Sequence, residues 1–214
     1  STLGRMLVRL ENPTSGDVLL DGKSTAQMLK ESNKAFRKRV QIVFQNPFDT
    51  FTPRDTIEKI LMRPLKNYNI GASDEERLKM CRDALESGGL HPAEEILKRY
   101  PHELSGGQLQ RISIIRSMFF KPDLIIADEP VSMLDVSVRA DIINMLLDLA
   151  KKNNTAVIFI SHDIALTRYI SDHIAVMYLG RVVEYGETDD VIAHPRHPYT
   201  RVLISHCADV DPDQ

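Results

Sequence analysis

The chain has 214 residues, 43% of them hydrophobic and 27% charged, with a formal net charge of −3. This composition suits a globular chain with one sizeable core and excludes a disordered or fibrous one. The slightly acidic balance, without Lys/Arg clusters, offers no footprint for nucleic acid or for an anionic membrane surface.

From the start, residues 1–10 have helical spacing, with Leu3, Leu7 and Leu10 on one stripe, and Asn12, Pro13 and Gly16 supply turn chemistry after them. Residues 18–20 followed by Asp21-Gly22 predict a short strand and tight turn, and 40–44 a buried strand. Between residues 46 and 102, Pro47, Pro53, Pro64, Gly71, Gly88, Gly89 and Pro92 interrupt charged helical stretches such as 74–87. That pattern predicts a mainly helical lobe inserted between two strands of an α/β core. The core resumes with a helix over 108–120, a continuous apolar strand over 124–127 and an amphipathic helix over 136–152. Residues 156–160, 164–170 and 174–178 predict a βαβ unit, which Gly180 turns into a hairpin with 181–184. A short helix over 200–205 belongs to a C-terminal appendage whose last residues, 209–214, are expected to fray. The apolar runs at 124–127 and 156–160 fall far short of the roughly 20 residues needed to cross a bilayer. Cys81 and Cys207 have no CxxC spacing, so both are expected to be plain thiols in a reducing cytosol.

Several groups of residues carry chemistry. Asp128 and Glu129 follow an apolar strand, at the end where open α/β sheets place ligands. Such a pair can hold Mg²⁺ and polarise a water for attack on a phosphate, or simply cap the next turn. Ser105-Gly106-Gly107 ahead of a helix supplies a hydroxyl, unhindered amides and a positive helix end, which suits an anion or an ordinary N-cap. His162 follows the strand ending at Ile160, where it can meet a phosphate or satisfy a structural bond. Gln45 follows the 40–44 strand and draws its meaning from these neighbours. His194, His197, His206 and Cys207 have no standard metal spacing and read as structural.

In their order and spacing, Leu104-Ser105-Gly106-Gly107-Gln108, the run 124–130 ending in Asp128-Glu129-Pro130, and Ser161-His162-Asp163 resemble the signature, Walker B and switch-histidine elements of ATP-binding cassette ATPases. Gln45-Asn46-Pro47-Phe48, the run 100–104, the run 134–138 and His197-Pro198-Tyr199-Thr200 narrow the resemblance to the ATPase subunits of dipeptide and oligopeptide importers. The resemblance covers nearly the whole chain. It implies a P-loop NTPase-like α/β fold with a mostly parallel core sheet over residues 1–45 and 108–186, an inserted helical subdomain over about 46–107 and an appendage over about 187–214. Implied too are ATP and Mg²⁺ as substrate and cofactor. The implied partners are a second cassette, two transmembrane permease subunits and, indirectly, an extracytoplasmic solute-binding protein, with the chain on the cytoplasmic face of the membrane and no nucleic acid.

By residue, the resemblance makes Glu129, His162 and Gln45 catalytic, and assigns Ser1, Gln45 and Asp128 to Mg²⁺. Nucleotide contacts fall to Ser1, Thr2, Ser105, Gly106, Gly107, Gln108 and Asp135, the signature group reaching a γ-phosphate held by the opposite subunit. Phe48, Phe51 and Pro53 lie in a region that in this family receives a helix of the membrane subunit, although either phenylalanine also reads as ordinary core. Ser1-Thr2 match the end of a GxxxxGK[ST] phosphate loop, and its glycines and lysine, with the family's preceding strands, are expected upstream of Ser1. As it stands the chain is therefore expected to bind ATP poorly. Three readings follow: a peptide-importer ATPase with its loop upstream, a non-transport cassette ATPase, or a fragment that does not bind nucleotide. Paired cassettes, coiled-coil arms and basic surfaces would favour the second.

Overall fold

The computed structural model describes residues 1–205, which form two compact units meeting in sequence at Ile160 and Ser161. The first unit opens with α1 (Thr2–Leu7) and a tight hairpin of β1 (Leu19–Leu20) and β2 (Lys23–Ser24). Asp21 and Gly22 turn that hairpin with φ of 51° and 74°, the left-handed pair that matches strand twist. Then come α2 (Thr25–Glu31), α3 (Asn33–Arg39) and β3 (Val40–Val43). Sequence periodicity did not indicate α2 and α3. Both are short and polar, and both start on a serine cap: Gln27 N–H donates to Ser24 Oγ, and Ala35 N–H to Ser32 Oγ. Their few apolar residues, Met28, Leu29 and Phe36, pack with Val8, Val40 and Ile126.

A helical stretch follows, with α4 (Ile57–Asn67), α5 (Asp74–Ser87) and α6 (Ala93–Lys98) leading into α7 (Gly106–Met118). Ile57, Leu61 and Leu65 recur every fourth residue, so one stripe of α4 is fully buried against Cys81, Leu85, Leu109 and Ile112. Pro64, expected to interrupt this region, lies inside α4 and is buried there. The helix continues past it because burial of Pro64 and Leu65 offsets the lost backbone bond. Phe51 belongs to the same helical core at 5% exposure, whereas Phe48 is 48% exposed. Of the two roles open to Phe51, the structure gives it core packing.

Three parallel strands complete the first unit: β3, then β4 (Leu124–Asp128), and, after α8 (Val136–Asn153), β5 (Ala156–Ile160), in the order β3-β4-β5. The register places Val43 beside Ala127 and Asp128 beside Ile160, so the carboxyl ends of the strands are level. β4 is buried except at its first residue, which explains its unbroken apolar sequence.

The second unit contains α9 (Ile164–Ile170), β6 (His173–Tyr178), β7 (Arg181–Glu187), α10 (Thr188–Ala193) and α11 (Pro198–Ser205). β6 pairs antiparallel with β7 in a two-stranded sheet, the hairpin expected at Gly180. Leu179 and Gly180, with φ of 48° and 76°, fold the chain straight back into it. His206, Cys207 and the expected frayed tail lie outside the described residues.

Candidate functional site

The level strand ends bring two expected pairs together. Gln45, two residues beyond β3, donates through Nε2 to Glu129 Oε2 at 3.2 Å and to Ser132 Oγ at 3.1 Å. Glu129 has left-handed backbone at φ 47°, and its N–H donates to the Ile160 carbonyl at 2.9 Å. For a non-glycine residue this conformation costs about 1–3 kcal/mol, and such residues concentrate at functional sites. Here it turns the chain sharply out of β4 next to the carboxylate that Gln45 reaches.

Asp128, the last residue of β4, is 4% exposed. Its Oδ1 is buried and accepts no hydrogen bond, and the Ser1 nitrogen lies 3.5 Å away. A buried carboxylate at a strand end, here within ion-pair distance of the Ser1 α-amino nitrogen and accepting no hydrogen bond at Oδ1, is the kind of oxygen donor a hard divalent cation takes. Thr2 follows as the exposed first residue of α1.

Ser105 and Gln108 satisfy each other at the start of α7. The Gln108 N–H donates to Ser105 Oγ at 3.3 Å, and the Ser105 N–H to Gln108 Oε1 at 3.0 Å, a capping box. A Cβ built on Gly106 would lie 3.2 Å from Leu134 and 3.9 Å from Phe48, and one on Gly107 3.7 Å from Val138. The helix start thus seats closely on the segment that follows Glu129. Asp135 occupies the N-cap position of α8, exposed and without a side-chain capping bond. His162 lies in the second unit, exposed, just before Asp163, whose carboxylate caps α9 by accepting the Leu166 N–H at 3.0 Å.

The described histidines of the appendage have structural partners. His194 Nδ1 is 3.3 Å from Asp190 Oδ1, and His197 Nδ1 accepts the Tyr199 N–H at 3.1 Å.

The ABC transporter family profile matches residues 1–132. The chain belongs to the ABC transporter family. A second profile, the C-terminal region of oligopeptide/dipeptide transporters, matches residues 183–214. The chain is 47% identical over 212 residues, 99% of its length, to the "Probable peptide ABC transporter ATP-binding protein y4tS" of Sinorhizobium fredii (strain NBRC 101917 / NGR234). It is 43% identical over 213 residues, 100% of its length, to the dipeptide transport ATP-binding protein DppF of Escherichia coli (strain K12). It spans 59% and 63% of the lengths of these two curated relatives. Among solved structures, it resembles the dimeric post-hydrolysis state of the ATP-binding cassette MJ0796 bound to ADP and Pi. There the TM-score is 0.75 and the identity 30%, over 87% of this chain and 79% of the other. The parallel sheet with its helices is accordingly the P-loop ABC fold.

The structure gives contacts to three further residues of this ABC chain, of which Gln110 and Ser132 already belonged to the signature and Walker B stretches and Arg139 did not. Ser132 is the second acceptor for Gln45. Arg139 reaches back from α8 to the Leu134 carbonyl at 2.9 Å and to that of Ser132 at 3.5 Å. Gln110 is fully buried and donates to the Phe44 carbonyl at 3.3 Å.

Proposed function

We propose that this chain is the nucleotide-hydrolysing part of an ABC subunit that powers import of peptides. The observation that carries the reading is the Gln45–Glu129 hydrogen bond at strand ends that also present Asp128. The names of the relatives and the oligopeptide/dipeptide profile support the peptide class.

In this reading Glu129 is the general base, accepting the proton of a water that attacks the γ-phosphate of ATP. Gln45 holds that carboxylate from one side while Ser132 anchors the amide from another. Ser1, Gln45 and Asp128 would hold Mg²⁺, and the buried, unmet Oδ1 of Asp128 fits that role. Mg²⁺ held by these residues would supply positive charge that offsets the charge developing on the transferred phosphate. Ser1 and Thr2 meet the phosphates of the chain's own nucleotide, and His162 senses the γ-phosphate. Ser105, Gly106, Gly107, Gln108 and Asp135 serve the nucleotide of a second cassette.

The proposed partners are that second ABC subunit, transmembrane permease subunits and, through them, an extracytoplasmic solute-binding protein. The chain would then sit on the cytoplasmic face of the membrane. Among the described residues no helix is long and apolar enough to cross a membrane. Since Phe51 is core, Phe48 and Pro53 carry the docking role.

The test is Glu129→Gln in the full-length protein. ATP binding measured by calorimetry is retained, while turnover falls about 10²–10⁴-fold, as expected for loss of a general base. Near-normal turnover would leave Glu129 a structural residue at a strand end.

A further inference from the structure

We propose that Gln110 is a positioning residue that locks the Gln45–Glu129 pair to the signature helix α7, an inference that rests on the hydrolytic reading above. α7 starts at the Ser105–Gln108 capping box, and Gln110 lies one turn further, with no exposed surface. Its Nε2 donates to the carbonyl of Phe44, the residue before Gln45. A carbonyl only accepts, so this bond fixes the amide orientation and turns Oε1 inward. There Oε1 is buried with no hydrogen-bond partner.

An unmet buried acceptor destabilises a fold, and a methionine or leucine would fill the same space without it. The bond to the Phe44 carbonyl and the orphaned Oε1 act in opposite directions on stability, so what distinguishes glutamine at this position is the direction of that bond. What the side chain supplies is one directed bond to the backbone next to Gln45, whose own amide spans Glu129 Oε2 and Ser132 Oγ. At its start, one turn before Gln110, the same helix seats Gly106 against Leu134 and Phe48. A shift of the signature end of α7 is thus passed through Gln110 to the Phe44 carbonyl, and from there to the residue that holds the general base.

The experiment uses Gln110→Met in the full-length protein, with Gln110→Leu as a second variant of similar volume should Met disturb folding. Amide hydrogen exchange over residues 44–48 is expected to rise about tenfold or more, with the melting temperature maintained. MgATP turnover is expected to show kcat reduced about tenfold with KM unchanged, since small misplacements of a catalytic group carry costs of that size or more. In a Gln45→Ala background, Gln110→Met should have no further effect on kcat. Unchanged exchange over 44–48 in both variants, or losses from the two sites that simply multiply, would overturn the proposal. Retained turnover in Glu129→Gln would instead sink the hydrolytic reading, and the exchange measurement would still decide whether Gln110 clamps this segment.

Discussion

Gln45 shows how a residue of little sequence specificity gains a role from two acceptors, Glu129 and Ser132, that lie 84 and 87 positions away in the chain. Away from the site, Asp74 shows the opposite case, in which local sequence already contains the interaction. It opens α5, and Lys66 Nζ donates to its Oδ2 at 2.6 Å and Arg77 Nη1 to its Oδ1 at 2.9 Å. The bond from Lys66, followed by that from Arg77, holds its carboxyl below the ordinary aspartate value. A carboxylate with a depressed folded pKa stabilises the fold above its unfolded pKa of about 3.9 and loses that contribution as pH falls through the folded value. Asp74→Asn should therefore lower the melting temperature at pH 7, and the gap to wild type should be smaller at pH 3, below the unfolded pKa. Because these groups are exposed, added salt should also narrow the gap. A gap that is equal at both pH values would show that the negative charge contributes nothing.

Among the elements, the helical stretch from α4 to α7 depends on apolar stripes, and Phe51 closes one end of its core. The Arg116 guanidinium lies 5.7 Å from the Phe51 ring, and burial together with nearby Arg63 lowers the Arg116 pKa from its ordinary value. Phe51→Ala should cost about 3–5 kcal/mol in denaturant unfolding, as for other buried aromatic truncations. Phe48→Ala, half exposed, should stay within about 0.5 kcal/mol. Comparable losses at both positions would mean that the 48–51 segment packs as one unit. Elements with a strong period were legible: 156–160 and 164–170 have the bounds that alternation and helical spacing predict. α2 and α3 were not, because serine caps and long-range packing, rather than a stripe, hold them.

At the level of the whole molecule, the functional reading requires two cassettes around two nucleotides. A Glu129→Gln full-length protein, able to bind ATP and slow to hydrolyse it, should shift to dimer mass in size-exclusion light scattering when ATP is added, and ADP should leave it monomeric. Dimerisation that ignores the nucleotide would separate assembly from the site. The signature residues make this test informative. Ser105 and Gln108 bond to each other at the start of α7, which leaves the hydroxyl proton of Ser105, the Nε2 hydrogens of Gln108 and the open amides of Gly106 and Gly107 as donors toward a second cassette's nucleotide.

By itself the sequence determined the α/β class, the helical character of the inserted stretch and which residues are candidates for chemistry, because apolar periodicity and short motifs are local properties. The burial of Phe51 against the exposure of Phe48 and the passage of α4 through Pro64 were decided by tertiary structure. So was the convergence of Gln45, Glu129, Ser132 and Gln110. Each depends on contacts between segments far apart in the chain. In a parallel sheet, the register of neighbouring strands, which no local pattern encodes, fixes which strand-end residues meet.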